Sequence, residues 1–385
     1  MQASALEAPS RVSLLVGGAQ AFPRMLAAIA AARRSIDLQV YLFRHDGIGA
    51  RFIVALEAAA ARGVRVRVTL DGWGSSHDGN AIVRELRAAG CEARIFNRLL
   101  TLLLCRLGRN HRKVLLVDDE RAFIGGLNIG DEYAGEAWLD LAAEVSGACC
   151  AQLGRALRQG GRTDERGPIR VYLSGLWGGG RLRRRYLKAI RRARQSIVLA
   201  QGYFLPDAQL LRALGRAARR GVRVSALLAG TSDVPFAPLA TRLLYARLVA
   251  AGVEVHEWTS SLLHAKAMVV DGRKLLVGSF NLDPLSLAMM EILVEASDLR
   301  AASEAGAWMA SLLLRARRID AGAASVAGVA GWVPFAVGRL FAIAGGWLAG
   351  LILRRRRKRP RASAPRTQGV RGASRARTIC ARGRP

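Results

Sequence analysis

The sequence predicts an α/β fold of two similar lobes related by a pseudo-twofold axis. Three observations carry that prediction. Helical and extended hydrophobic patterns alternate along most of the chain, as layered α/β architectures require. The pattern recurs after roughly 155–160 residues, and self-similarity of this kind sets the fold before any single element does. One polar motif also repeats, at a constant offset of 153 residues.

Taken in order, each half opens with an amphipathic helix that closes at Ala28-Ile29 or Ala189-Ile190. An apolar strand follows, from Ser35-Ile36 to Tyr41 and from Ser196-Ile197 to Tyr203. A second helix ends at Arg62-Gly63 or Arg220-Gly221, where glycine is the usual helix stop, and a Val-rich strand leaves it. A third helix ends at Ala88-Ala89-Gly90 or Ala250-Ala251-Gly252, and short strands complete the half. The halves divide the chain into residues 1–160 and 161–318, followed by an apolar segment at 319–353 and a disordered, Arg-rich tail at 354–385.

The repeat culminates in His111-x-Lys113-x4-Asp118-x6-Gly125-Gly126-x-Asn128 and His264-x-Lys266-x4-Asp271-x6-Gly278-Ser279-x-Asn281. With five His and five Lys in 385 residues, chance gives roughly 0.06 His-x-Lys triplets, and two are present. Lysine is otherwise scarce, because all but five of the 59 basic residues are Arg. A position that keeps Lys is one where a compact ammonium differs from a planar guanidinium.

The runs Val114–Val117 and Ala267–Val270 read as buried strands, and their period of two puts each His and Lys on one face. A neutral imidazole is a competent nucleophile and its protonated form a competent acid near neutral pH. Lys ammoniums and the polar groups of Asn128, Asn281 and Ser279 supply donors for non-bridging phosphate oxygens. Doubling the set provides one His to attack and one to protonate the leaving group, which is a phosphodiester-cleaving site at the lobe interface with a phosphohistidine intermediate. Two ammoniums can neutralise the developing charge, and no His, Cys or carboxylate cluster has metal-ligand spacing, so neither metal nor cofactor is expected. Aligning Leu141–Ser146 with Ile292–Ser297 makes Asp140 and Glu291 equivalent, 29 and 27 residues after the histidines. Each is a candidate to orient an imidazole. Asp118 and Asp271, at strand ends, read as structural residues that satisfy a turn and hold the Lys strand.

Over residues 12–300 the chain resembles the phospholipase D superfamily, whose signature is this paired motif. His111–Asp118, Phe123–Asn128, Trp138-x-Asp140, Gly278–Leu287, Asp71–Ser75 and Tyr203–Pro206 look like the bacterial cardiolipin synthase branch. The resemblance implies two phospholipase D-like lobes and transfer of a phosphatidyl group from one phosphatidylglycerol to the hydroxyl of another, releasing glycerol. It places the nucleophile on His111 and leaves His264 as acid, then base. Water as acceptor would make the same site a hydrolase, and the sequence does not choose between them. The branch usually carries Asn-x-Glu after Ser-Leu, where this chain reads Ser286-Leu-Ala-Met-Met-Glu291. It also lacks the paired N-terminal membrane helices of some members, pointing to the shorter type.

A formal charge of +30 has two readings, nucleic acid or anionic lipid. The stretch 354–385 holds 13 of the basic residues and no acid, and it follows the apolar segment 321–353, whose one charge is Arg339. That order favours lipid, and no nucleic-acid partner is expected. The last uncharged run, Leu340–Leu353, has 14 residues against the ~20 that span a bilayer, so an interfacial or re-entrant hairpin is favoured over a true span. Arg354–Arg359 should stay on the cytoplasmic side of the inner membrane. Leu99–Cys105 reads either as a buried strand or as an apolar lip beside which Arg106 and Arg109 meet headgroups. Five cysteines without a Cys-x-x-Cys fit a reducing compartment, and His45, His77 and His256 read as unpartnered surface groups in or beside loops.

Overall fold

The structure is a computed structural model that describes residues 10–97, 108–161, 163, 166–234 and 237–326. The apolar run 99–105, Arg106, the segment from 327 onward and the basic tail lie outside the described residues. No helix among the described residues is long and apolar enough to cross a membrane.

The first lobe contains β1 (Arg11–Val16), β2 (Ser35–Val40), β3 (Arg65–Asp71), β4 (Glu92–Phe96), β5 (Val114–Val117), β6 (Arg121–Gly125), β7 (Trp138–Leu139) and β8 (Leu141–Ser146). The second contains β9 (Ile169–Leu173), β10 (Ser196–Gln201), β11 (Arg223–Ala229), β12 (Glu254–Trp258), β13 (Leu262–Leu263), β14 (Lys266–Val270), β15 (Lys274–Gly278), β16 (Ile292–Ala296) and β17 (Arg317–Ile319). Their sheets run β1-β8-β6-β5-β2-β3-β4 and β9-β16-β15-β14-β10-β11-β12-β17, the same order with one strand added to the second. Opening strands β1 and β9 were not anticipated from sequence. Each pairs antiparallel with the last long strand of its own lobe.

The repeated Arg-Gly pairs end helices as expected. Gly63 and Gly221 have φ of +84° and +85°, a conformation that costs an L side chain about 1 kcal/mol or more. After each, Val64 N donates to Ala59 O and Val222 N to Ala217 O, both at 3.1 Å, closing the helix C-terminus.

Apolar side chains form three layers. Helices 17–31, 47–61 and 79–88 cover the outer face of the first sheet, and helices 180–192, 208–219 and 245–250 cover that of the second. Between the sheets, side chains of β5, β6 and β8 meet those of β14, β15 and β16, with helices 148–159 and 299–313 filling the same layer. The lobes are also sewn together by backbone. β7 pairs with β13 in parallel, and Asn110 bridges to Met290. These two cross-lobe seams lie next to the repeated motifs.

Candidate active site

Asp118 and Asp271 share one backbone geometry, with φ of +55° and +54°. Asp118 Oδ1 accepts from Arg34 N at 2.7 Å and Ser35 N at 2.9 Å, and Oδ2 from Arg33 N at 2.9 Å. Asp271 Oδ1 accepts from Gln195 N at 2.8 Å and Ser196 N at 3.0 Å. Each carboxylate therefore ties the end of its Lys strand to the start of the neighbouring strand, β2 or β10.

His111 and His264 stand at the opposite ends of those strands, at the lobe interface, and are 8% and 6% exposed. Their orienting carboxylates are crossed between lobes. Nδ1 of His111 lies 3.0 and 3.1 Å from the oxygens of Glu291, and Nδ1 of His264 lies 2.7 Å from Oδ2 of Asp140. The backbone enforces the exchange. His111 N donates to Met290 O at 2.9 Å and His264 N to Leu139 O at 2.8 Å, so each His is bonded to the residue preceding its partner acid.

Gly126 and Ser279 occupy equivalent positions and explain why one acid is Asp and the other Glu. A Cβ on Gly126 would overlap the Asp140 carboxylate. Ser279, in the second lobe, donates its hydroxyl to Glu291 and accepts from Ile292 N at 3.0 Å. Ser279, expected to meet phosphate, has its hydroxyl directed at Glu291 in this structure. Asn128 is also engaged, donating Nδ2 to Tyr133 Oη at 2.7 Å and accepting from Leu42 N at 3.3 Å, with one amide hydrogen left over. Asn281 Oδ1 is buried without a partner, and its backbone N is held by Ser286 Oγ at 3.2 Å.

Lys113 and Lys266 are fully enclosed, each bonded to the carbonyl of its own motif histidine. Burial pushes Lys113 down to about 7 and Lys266 to about 8, with the Lys266 charge adding to the effect at Lys113. Burial and the two ammoniums drive His111 well below its ordinary range and His264 to about 4, so both rings are neutral near pH 7. Glu291 is raised by burial to about 8. Two cations are thus held against one another out of water, an arrangement that an anion between them would relieve.

Aromatic rings line the histidines unequally. Tyr41 packs on His111 at 5.1 Å and lies 5.0 Å from the Lys113 ammonium. Around His264 stand Trp138 at 5.3 Å, Tyr133 at 6.0 Å and Tyr203 at 6.0 Å. In the sequence Tyr41 and Tyr203 stand out only as matched ends of the repeated strands, and nothing there marks them as walls of the site.

Several expectations are corrected. Arg109 cannot meet headgroups, since it is fully buried, donates to Asn97 O at 3.0 Å and lies 3.9 Å from Asp71. Asp71 in turn accepts from Asn110 N at 2.8 Å, fixing the loop that delivers His111. Only the Asp71-Gly-Trp-Gly-Ser run hinted at this support. His45 is paired with Glu85 at 3.0 Å and His77 with Asp78 at 2.7 Å, so neither is unpartnered. His256 lies in strand β12 rather than beside a loop.

Residues 25–149 and 186–313 match the family described as "Cardiolipin synthase, PLD-like domain". Cardiolipin synthase B of Escherichia coli is 35% identical over 307 residues, covering 73% of this chain and 74% of that one. Cardiolipin synthase of Geobacillus kaustophilus is 34% identical over 301 residues, covering 71% and 60%. Among solved structures, phosphatidylserine synthase of Haemophilus influenzae superposes with a TM-score of 0.67 at 14% identity, covering 89% of this chain and 94% of that one. That likeness is one of fold.

Proposed function

The chain belongs to the PLD-like cardiolipin synthase family, and from that premise we propose that it is a phosphatidyltransferase forming cardiolipin from phosphatidylglycerol. The crossed pairing of two neutral histidines with buried carboxyl groups, beside two buried lysines, is the observation that supports the reading most directly.

In this mechanism a phosphodiester anion enters between Lys113 and Lys266, whose ammoniums take the charge of its non-bridging oxygens. Nδ1–H of His111 is held by Glu291, leaving the other ring nitrogen free to attack phosphorus. Burial and the two ammoniums keep His264 neutral before the anion binds; once the bound anion offsets the ammoniums His264 takes up a proton from water, and Asp140 stabilises the imidazolium that results. As the bond from phosphorus to the glycerol oxygen breaks, His264 gives that oxygen its proton, and glycerol leaves. The phosphatidyl group then rests on His111. In the second step the hydroxyl of another phosphatidylglycerol loses its proton to His264 and attacks phosphorus, releasing His111 and forming cardiolipin. Asn128 and Asn281 border the same space, and the chemistry is assigned without metal or cofactor.

Phospholipid is the partner in this reading and the cytoplasmic side of a bacterial inner membrane is its place. Residues 319–353 supply peripheral or anchoring attachment, with the lobes meeting near residue 160. Purified protein incubated with phosphatidylglycerol vesicles, with and without EDTA, should yield cardiolipin and glycerol in equal amounts by mass spectrometry. Phosphatidic acid as the sole product would replace the transferase with a hydrolase. Loss of turnover in EDTA would overturn the metal-free mechanism.

A further inference from the structure

The loop after β9 holds large apolar side chains in solvent. Leu176 and Trp177 are 43% and 42% exposed, and Trp73 of the first lobe is 37% exposed. Trp177 has φ of +59°, a left-handed conformation that a bulky residue rarely adopts. The turn around it is fixed rather than loose. Gly178 N donates to Gly175 O at 2.8 Å and Trp177 N to Ala288 O at 3.1 Å, and a Cβ on Gly178 would overlap the backbone of Gly175. Strain maintained by surrounding bonds, in a side chain that gains no burial from it, points to a use for that side chain.

Its place identifies the use. Ser174, just before this turn, donates its N to Glu291 O at 2.9 Å and accepts from Glu291 N on its hydroxyl at 2.8 Å. The turn therefore starts from the residue that holds the backbone of Glu291, whose side chain pairs with His111. From the other lobe, Trp73 lies 5.8 Å from the Arg109 guanidinium, two residues before His111. A Cβ placed on Gly108 would touch Leu176 at 4.0 Å. Trp73, Gly108 and Leu176 thus stand beside the loop that delivers His111, with both lobes contributing, and Trp177 follows Leu176 in the same turn.

Charge selects the occupant. The helix that follows the turn, Gly180–Arg192, carries seven Arg and Lys residues and no acid. Arg183 and Arg185 are paired with Asp207 and Glu295, Arg184 and Lys188 are exposed along the helix, and Arg191 and Arg192 are exposed at its far end, toward Asp271. Lys188 is held below its ordinary value by Arg185 and Arg192, which marks the face as one of unbalanced positive charge. Indole rings beside a cationic helix match the boundary between acyl chains and anionic headgroups.

We propose that Trp73, Leu176 and Trp177 form an apolar rim that seats the mouth of the site on an anionic lipid bilayer, with the helix from Gly180 facing the headgroups. The proposal rests on the phospholipid reading of the site. It adds a docking surface made by the folded lobes themselves, independent of residues 319–353.

The test uses the full chain and vesicles of phosphatidylglycerol mixed with phosphatidylcholine. Leu176→Ser/Trp177→Ser should weaken co-sedimentation by about tenfold or more. Leu299→Ser, at an equally apolar residue 65% exposed beyond the end of β16 distant from Glu291, should not. With brominated acyl chains, Trp177→Phe should lose part of the quenchable tryptophan fluorescence while still co-sedimenting. Vesicle binding by the double variant equal to that of the unaltered chain, or quenching unchanged by Trp177→Phe, would overturn the proposal. So would a lipid-free dimer, seen by sedimentation velocity, that the double variant dissociates, since a second copy would then be the occupant. Turnover of monomeric short-chain phosphatidylglycerol separates the two readings. Its absence in the unaltered chain would defeat the enzymatic reading, while the sedimentation results would still decide the rim.

Discussion

Asp140 belongs to the first lobe, yet its carboxylate lies 2.7 Å from Nδ1 of His264 in the second. Glu291 of the second lobe stands in the same relation to His111. Each imidazole therefore has its tautomer set by the other half of the molecule.

Exchange of partners predicts crossed effects. Asp140→Asn should alter the ring-nitrogen NMR shifts and titration of His264 and leave those of His111 nearly unchanged, and Glu291→Gln should do the reverse. Both should lower kcat by about 10²–10⁴. Shifts that follow the acid within its own lobe would contradict the pairing.

The two histidines should fail differently. His111→Ala should abolish the covalent phosphatidyl-enzyme adduct in an acid-quenched reaction, because no nucleophile remains. His264→Ala should form the adduct slowly and retain it, since deprotonation of the acceptor is lost as well. An adduct trapped on His264 would invert the assignment.

Lys113 should weaken the unloaded fold. Its value falls from 10.5 free to about 7 in the folded chain, so the unfolded chain binds more protons between those limits. Stability associated with this residue is present above about 10.5, declines as pH falls, and is lost below about 7. Lys113→Met should accordingly raise Tm at pH 6 by the equivalent of about 1–3 kcal/mol, with less effect at pH 10, while eliminating turnover. A lower Tm at pH 6 would show that the ammonium stabilises the fold.

Loss of the same protons should set the basic limb of activity. With Lys113 at about 7 and Lys266 at about 8, kcat/KM should decline as pH rises through that interval, more steeply than one ionisation allows. Saturating phospholipid should move the limb of kcat upward, because a bound anion retains both protons. A kcat/KM that stays level to pH 9 would remove the lysines from phosphate binding.

Much of this was legible in the sequence because it is local. The Arg-Gly helix stops, the apolar strands Val114–Val117 and Ala267–Val270 and the matched motifs all depend on residues close in the chain. Equivalence of Asp140 and Glu291 was visible as well, but two equivalent acids and two equivalent histidines pair equally well within or between halves. Only the cross-lobe bonds at Met290 and Leu139 decide between those patterns. The contact of the Ser279 hydroxyl with Glu291 was hidden for a related reason, because the two residues meet only through the fold. Arg109 reads as surface because Arg beside a loop glycine usually is, whereas here Asn97 and Asp71 enclose it. Opening strands β1 and β9 went unseen because their partners, β8 and β16, lie more than 100 residues away.

The seams at Asn110–Met290 and β7–β13 also determine how the molecule responds to dilution. Two separate half-length chains with these contacts would hold a complete histidine–carboxylate pair only while associated, so their active fraction would depend on concentration. Carried on one chain, the partners remain at a fixed, high effective concentration however scarce the protein becomes.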